Sequence, residues 1–219
     1  LITPGVMFHI CKEIKQKEKI KELKEEDKQF LLEMGKSTWQ YFKDNLNEKT
    51  NYLPPDNYQE DRKPKVILRT SSTNIGLALL AVISSYDLKY ENLKDTINLL
   101  EKMLQTISNL QKWNGHLYNW YDIQKLEPLK PRYISSVDSG NFIGYLFVLK
   151  QFLKNLNTNE MQKDKIEQMI LEIHTIIQKT DFKYLYDEET RLFSIGFNIE
   201  ENKLTDSYYD LLASEARQA

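Results

Sequence analysis

WNGHLYNWYDIQKLEPLKPRYISSVDSGNFIG, residues 113–144, is the stretch whose reading decides the fold. Most of it is a long aromatic connection; from Asp138 it reads as the start of a helix. It holds two of the chain's three tryptophans, Trp113 and Trp120, together with His116 and three acids, Asp122, Glu127 and Asp138. No other part of the chain brings together so many rings and ionisable groups. A long polar connection that feeds an apolar helix is also a pattern that recurs on either side.

Working outward, residues 138–155 are apolar nearly all round at their start, as a helix buried on most sides should be. Residues 159–179 are amphipathic, with Met161, Ile166, Met169, Ile170, Ile173, Ile176 and Ile177 at helical spacing. His174 falls near that stripe and reads as a packed or surface histidine. Upstream, residues 73–86 form another nearly all-apolar helix, with Ser72 or Thr73 as N-cap. Residues 91–110 carry one stripe, Leu93, Ile97, Leu100, Leu104, Ile107 and Leu110, with Lys94, Asp95, Glu101 and Lys102 off it. Residues 26–46 are a first amphipathic helix in which Trp39 reads as core. Three long connections remain, 47–70, 111–136 and 180–204; Pro54, Pro55 and Pro64 exclude a helix in the first. Alternation around 192–199 predicts one or two short strands in the third, and a sixth helix is expected from near Asp206.

The order is therefore long loop, buried helix, short turn, amphipathic helix, repeated. Asn74, Asn141 and Asp206 mark the starts of the buried helices at spacings of 67 and 65 residues. A repeated helix pair that cannot bury its own face predicts a closed or stacked α-array. Every buried helix follows a long polar loop, so the loops share one end and the buried helices' N-termini converge there. An all-α (α/α)6 toroid does this, and three inner helices are about half of one.

Composition narrows the function. With 30 basic and 32 acidic residues and a net charge of −2, there is no electrostatic case for nucleic acid as a partner. One cysteine, Cys11, excludes an internal disulfide framework and a Cys-based zinc site, and the three histidines are far apart. No phosphate loop, nucleophile elbow or metal signature is present, so no cofactor or metal is expected. Residues 1–11, LITPGVMFHIC, are apolar, then give way to the charged run 12–28. Eleven residues are too few to span a bilayer. They read either as the end of a transmembrane helix or as a terminal helix. Both ends of the chain read as cut.

Three groups fall at or before the buried helices' starts: Asp61 with Arg69 and Asn74; Trp120 with Asp122, Glu127, Asp138 and Asn141; and Tyr208, Tyr209, Asp210 and Glu215. In a toroid they line one cleft. Aromatic faces stack on sugar rings, while acids, Asn and Arg satisfy hydroxyls. Two carboxyls on opposite sides of a glycosidic bond are what glycoside chemistry requires. Read structurally instead, Asp122 and Asp138 are turn and N-cap residues, the two tryptophans pack loops, and Glu215 is a surface residue of a helix.

NYLPPDNYQED (51–61), RTSSTNIG (69–76), GHLYNWYD (115–122), LEPLKPRYISSVDSGN (126–141), RLFSIGF (191–197) and SYYDLLASEAR (207–217) resemble the central glycoamylase-like domain of cyclic β-1,2-glucan synthases. The resemblance covers about residues 26–219 in order, with residues 1–25 as the end of a membrane segment and a charged linker. It implies the first part of an (α/α)6 toroid carrying a short β-hairpin insertion. It also implies a transglycosylase that cuts linear β-1,2-glucan and rejoins it into a ring; related stand-alone enzymes hydrolyse the same glucan. By motif, Glu127 in LEPL is the nucleophile, Glu215 in LASEAR the general acid, and Asp138 in VDSGN a holder of substrate hydroxyls or of an acid. The partners implied are β-1,2-glucan or a related oligosaccharide and the synthase's glucosyltransferase and phosphorylase-like modules. The location implied is the cytoplasmic side of the inner membrane, within a membrane-bound synthase, this stretch itself being soluble. Two other readings stand beside it: an inactive or truncated carbohydrate-binding or scaffold fragment, and a glycoamylase-like hydrolase of another linkage.

Overall fold

The computed structural model describes residues 22–157 and 160–209. The chain divides into two compact units, Leu1–Glu33 and Met34–Ala219. The described part of the first opens helix α1 (Glu25–Asn45), whose first turn carries Glu25, Glu26 and Asp27 against the positive helix end. Gln29 reaches Glu33 one turn on at 3.1 Å, and Phe30 is 64% exposed. The expected membrane segment lies outside the described residues. Among the described residues no helix is long and apolar enough to cross a membrane.

The second unit is built from two helix pairs. Helices α2 (Ser72–Asp87) and α4 (Ser136–Asn155) are the apolar ones, and α3 (Leu93–Asn109) and α5 (Glu160–Lys179) return beside them. The stripes behave as their spacing requires. In α3, Ile97, Leu100, Leu104 and Ile107 are buried while Lys94 and Asp95 face water; in α5, Ile166, Met169, Ile173 and Ile176 are buried. Trp39 of α1 is 6% exposed, and its indole N–H donates to Glu91 at 2.9 Å.

α2 and α4 pack side by side, and Gly76 makes their approach possible. A Cβ there would lie 2.3 Å from Cδ2 of Tyr145 on α4. These helices are less enclosed than their all-round apolar composition predicts. Leu77 is 43% exposed, Phe147 56% and Val148 49%. Composition marks a face as apolar but does not say what covers it.

The long connections hold more order than loops. β1 (Arg69–Thr70), β2 (Asn119–Asp122), β3 (Glu127–Ser135), β6 (Gly196–Asn198) and β7 (Lys203–Leu204) form one antiparallel sheet in the order β1-β2-β3-β6-β7. The expected hairpin is its β6–β7 end, and β4 (Tyr186–Asp187) and β5 (Leu192–Phe193) form a separate ribbon. Residues 111–136 are therefore not one loop; they carry β2 and β3. Pro128 and Pro131, and a register shift between Asn119 and Tyr121, hide the strand alternation in the sequence.

The sheet sets the direction of the buried helices. β1 leads directly into α2 and β3 directly into α4. Both strands are antiparallel to β2, so they run the same way and launch α2 and α4 as parallel neighbours. Each helix begins on a serine: Ser71 caps α2 by accepting from the Asn74 amide, and Ser135 caps α4 by accepting from Asp138. The cap of α2 is thus one residue before the expected Ser72 or Thr73, and Asp138 is not itself the cap of α4. SSTNIG (71–76) and SSVDSG (135–140) superpose as caps, which makes the repeat offset 64 residues rather than the 67 that pairs Asn74 with Asn141. A sixth helix does not begin at Asp206 within the described residues; Tyr208 instead bridges to Ser194 in extended form.

Candidate active-site cleft

The site grows from the two caps. Asn74 and Asp138 stand at the same position, three residues past the capping serines of parallel helices. The two N-termini are tied by Asn141, whose amide donates to Thr73 Oγ1 at 3.3 Å. Asp138 accepts from Asn119 Nδ2 at 2.9 Å, so one carboxylate oxygen is held by β2. Helix N-termini offer free N–H groups and a positive field, which suits polar ligands and anionic side chains.

The sheet adds a row of side chains on one face. Arg69 on β1 is in register with Asp122 on β2, and Asp122 with Glu127 on β3. Directly opposed residues share a face, so Arg69, Asp122 and Glu127 line up across three strands. Tyr121, next to Asp122, points the other way into the core at 0% exposure. Trp120 lies under Arg69, with the guanidinium 4.3 Å from the ring centroid. This distance is within cation–π range.

Arg69 is held by Asp56, a residue the sequence reading missed. Asp56 Oδ2 accepts from Arg69 Nε at 3.1 Å and Nη2 at 3.0 Å, and Oδ1 accepts from Asn74 Nδ2 at 3.3 Å. Asp61, expected in one cleft-lining group with Arg69 and Asn74, is exposed and bonds to neither among the described residues. The register of the arm formed by residues 56–67 explains the exchange. Tyr58 bridges Val66, and the Asp56 amide donates to Ile67. Asp56 is therefore at the arm's base beside Arg69, while Asp61 is near its tip. The negative charge of Asp56, after burial, helps to raise the Tyr41 phenol above its ordinary pKa.

The other expected residues have distinct settings. Asp122 Oδ1 accepts the Gln124 and Lys125 amides at 2.9 and 3.0 Å, so it closes the β2–β3 turn while keeping its place in the row. Glu127 is exposed, and among the described residues no hydrogen bond or ion pair reaches its carboxylate. Asn51 pins the same turn from outside, its amide donating to the carbonyls of Ile123 at 2.8 Å and Gln124 at 3.1 Å. Trp113 packs: it stacks on Phe197 with centroids 4.4 Å apart. His116, buried at 1%, contacts the Asp181 carbonyl at 3.0 Å, and burial pushes its pKa below the usual imidazole value. Tyr208 hydrogen-bonds Asp187, and the Tyr209 amide donates to Phe193, so both belong to the β4–β5 side. Asp210 and Glu215 lie outside the described residues. Beside Trp120 opens a cavity of about 410 Å³ lined by Arg69, Asn119, Lys130 and Tyr133. Among the described residues no cluster of His, Cys, Asp and Glu is placed to hold a metal ion.

No family model matches the chain. Parallel buried helices launched from one end, each followed by a returning amphipathic helix, are the unit of the glycoamylase-like (α/α)6 toroid, and solved structures of that class align with the chain. An endo-β-1,2-glucanase from Chitinophaga pinensis, in complex with sophorotriose and glucose, aligns with a TM-score of 0.66 at 14% identity, over 80% of this chain and 41% of its own. An endo-β-1,2-glucanase from Talaromyces funiculosus, in complex with sophorose, aligns with a TM-score of 0.61 at 13% identity, over 87% and 45%. The fold is therefore that of a glycoamylase-like toroid, of which the chain supplies a part.

In sequence the chain is similar to the cyclic β-(1,2)-glucan synthase NdvB of Rhizobium meliloti strain 1021, with 37% identity over 152 residues. The match takes in 69% of this chain and 5% of that protein, so the chain spans a small fraction of its curated relative.

Proposed function

We propose that the chain is the N-terminal part of a glycoside-processing domain that acts on β-1,2-glucan. Within it, residues 26–219 belong to the toroid, and residues 1–25 are the end of a membrane segment and a linker. The observation that carries this reading is the convergence of Arg69, Asn74, Trp120, Asp138 and Asn141 on paired helix N-termini, in a fold shared with two endo-β-1,2-glucanases. The similarity to a cyclic glucan synthase points the same way.

In the mechanism that fits, Glu127 attacks the anomeric carbon while Glu215 protonates the departing glycosidic oxygen. The glycosyl–Glu127 ester is then opened by a hydroxyl that gives its proton to Glu215. A 2-hydroxyl at the other end of the same chain closes a ring; water completes hydrolysis. Trp120 and Arg69 carry glucosyl units toward the bond, with Asn74, Asp138 and Asn141 taking hydroxyls. Tyr208, Tyr209 and Asp210 would line the far side. Natural partners are then the glucan and the glucosyltransferase and phosphorylase-like modules of a synthase, on the cytoplasmic side of the inner membrane.

E127Q and E215Q should each abolish product formation from linear β-1,2-glucan, followed by chromatography, while calorimetric binding of the oligosaccharide persists. Undiminished turnover in either variant overturns that residue's assignment. The exposed, unpartnered Glu127 carboxylate favours one second reading, a sugar-binding part without catalysis. Binding without product in the unaltered chain would decide for it.

A further inference from the structure

We infer that Asp56 is a positioning residue that fixes Arg69 as a hydroxyl-binding fork above Trp120, and that this fork takes the vicinal 3- and 4-hydroxyls of a glucosyl unit.

The Asp56 side chain is 14% exposed, and its carboxylate is fully engaged: Arg69 and Asn57 on Oδ2, Asn74 on Oδ1. It is too occupied to serve as an acid or base. What it does is restrict Arg69. Binding through both Nε and Nη2 fixes the guanidinium plane, and Trp120 at 4.3 Å supports one face of that plane. A planar fork held at one edge presents its other edge in a defined direction. Here that edge is Nη1 and the second N–H of Nη2, and among the described residues Nη1 meets no acceptor. The side chain is still 44% exposed, so the free edge is reachable. The cavity beside it is lined by Asn119, Trp120, Lys130 and Tyr133, and the buried Oδ1 of Asn119 has no partner there. The site thus offers one aromatic plate, a donor fork and one waiting acceptor.

The chemistry of the chain decides what such a fork can hold. In a 1,2-linked glucan each internal unit has lost its 2-hydroxyl to the linkage and keeps the neighbouring 3- and 4-hydroxyls. A 1,3-linked internal unit has no free vicinal pair, and a 1,4-linked one offers the 2,3 pair in another orientation. A fork of fixed direction therefore discriminates between linkages, whereas a mobile arginine would not. This inference rests on the glucan-processing reading above.

The test uses the full chain and its D56N and R69K variants, with tryptophan emission and calorimetric titration of linear β-1,2-, β-1,3- and β-1,4-linked gluco-oligosaccharides. D56N keeps the shape of Asp56 and removes its charge. R69K keeps the charge and removes the fork. Both should shift tryptophan emission without ligand and weaken β-1,2 binding by about tenfold, the scale of one charge-assisted hydrogen bond lost. Both should also narrow the preference over the β-1,3 chain while the thermal midpoint stays near that of the parent. If the unaltered chain binds the β-1,2 oligosaccharide and D56N binds it equally, with unchanged emission and linkage preference, the role of Asp56 is overturned. If R69K alone retains full affinity and preference, the fork is overturned. If the unaltered chain binds none of the three, the functional reading falls and this inference with it.

Discussion

Two glycines in the buried helices should respond to the same substitution with opposite signs. Gly76 lies in α2 and Gly144 in α4, both in helix interiors. In such a position alanine is favoured over glycine by about 1 kcal/mol. At Gly144 a new Cβ meets nothing within 4 Å, so G144A should realise that gain in full. At Gly76 the new Cβ falls 2.3 Å from Cδ2 of Tyr145 and 3.2 Å from Cε2 and Cγ. The ring must move, or α2 and α4 must part, and overpacking of this kind costs about 1–3 kcal/mol. Set against the propensity gain, G76A should lie between neutral and about 2 kcal/mol destabilised. Urea midpoints at constant m-value measure both variants. Y145A supplies the control: with the ring gone, G76A should become stabilising, giving a coupling of about 1–3 kcal/mol in the double-mutant cycle. The reasoning is refuted if G76A stabilises as much as G144A, or if G76A and Y145A are additive. The consequence reaches the site, because the same helix approach sets the bond between Thr73 and Asn141.

Two further substitutions probe the frame around the site. Tyr121 is fully buried, its hydroxyl donating to the Gln111 carbonyl at 2.5 Å and accepting from the Tyr118 amide at 3.0 Å. Y121F removes the partner of both backbone groups and should cost about 1–3 kcal/mol in urea unfolding, the scale of one buried group, the Tyr118 amide, left unsatisfied; a loss below about 0.5 kcal/mol would contradict the burial. Lys112 holds the carbonyls of Ile107, Ser108 and Leu110 at the end of α3, and burial pushes its pKa down to about 8, with Glu172 opposing and Lys179 adding to the shift. The unfolded chain then binds the extra proton between pH 8 and about 10.4, so stability should rise with pH there, by at most about 1.4 kcal/mol per unit. K112M should flatten that slope, and an unchanged slope would show that Lys112 is not its source.

What was legible in the sequence is what local spacing encodes. The stripes of α3 and α5 were readable because burial on one side imposes a helical period on the residues themselves. The helix caps were readable to within a few residues. Ser71, Ser72 and Thr73 can all cap, as can Ser135, Ser136 and Asp138, and backbone geometry alone chooses among them. Aligning the two helices by asparagines gave an offset of 67; aligning them by their capping serines gives 64 and puts Asn74 and Asp138 in equivalent places. Of the sheet only the β6 end, announced by alternation around 192–199, was readable. Two of its strands are two residues long, and β3 carries two prolines, so neither length nor alternation announces them.

The site divides along the same line. That Asn74, Trp120, Asp138 and Asn141 stand near one another was legible because they lie at helix starts or in the aromatic stretch. Asp56 was missed because its meeting with Arg69 is decided by strand register, and register is a relation between segments that neither segment displays alone. Asp61 has the same chemistry and is nearer in sequence to Arg69, yet the arm turns it away. Asp122 shows the limit from the other side: it stands in one row with Arg69 and Glu127 and closes a turn, so its type and position fit both readings at once. Residue chemistry alone therefore could not choose between substrate binding and structure at that position, whereas Asp56, engaged on both oxygens and aimed at Arg69, is assigned by its contacts.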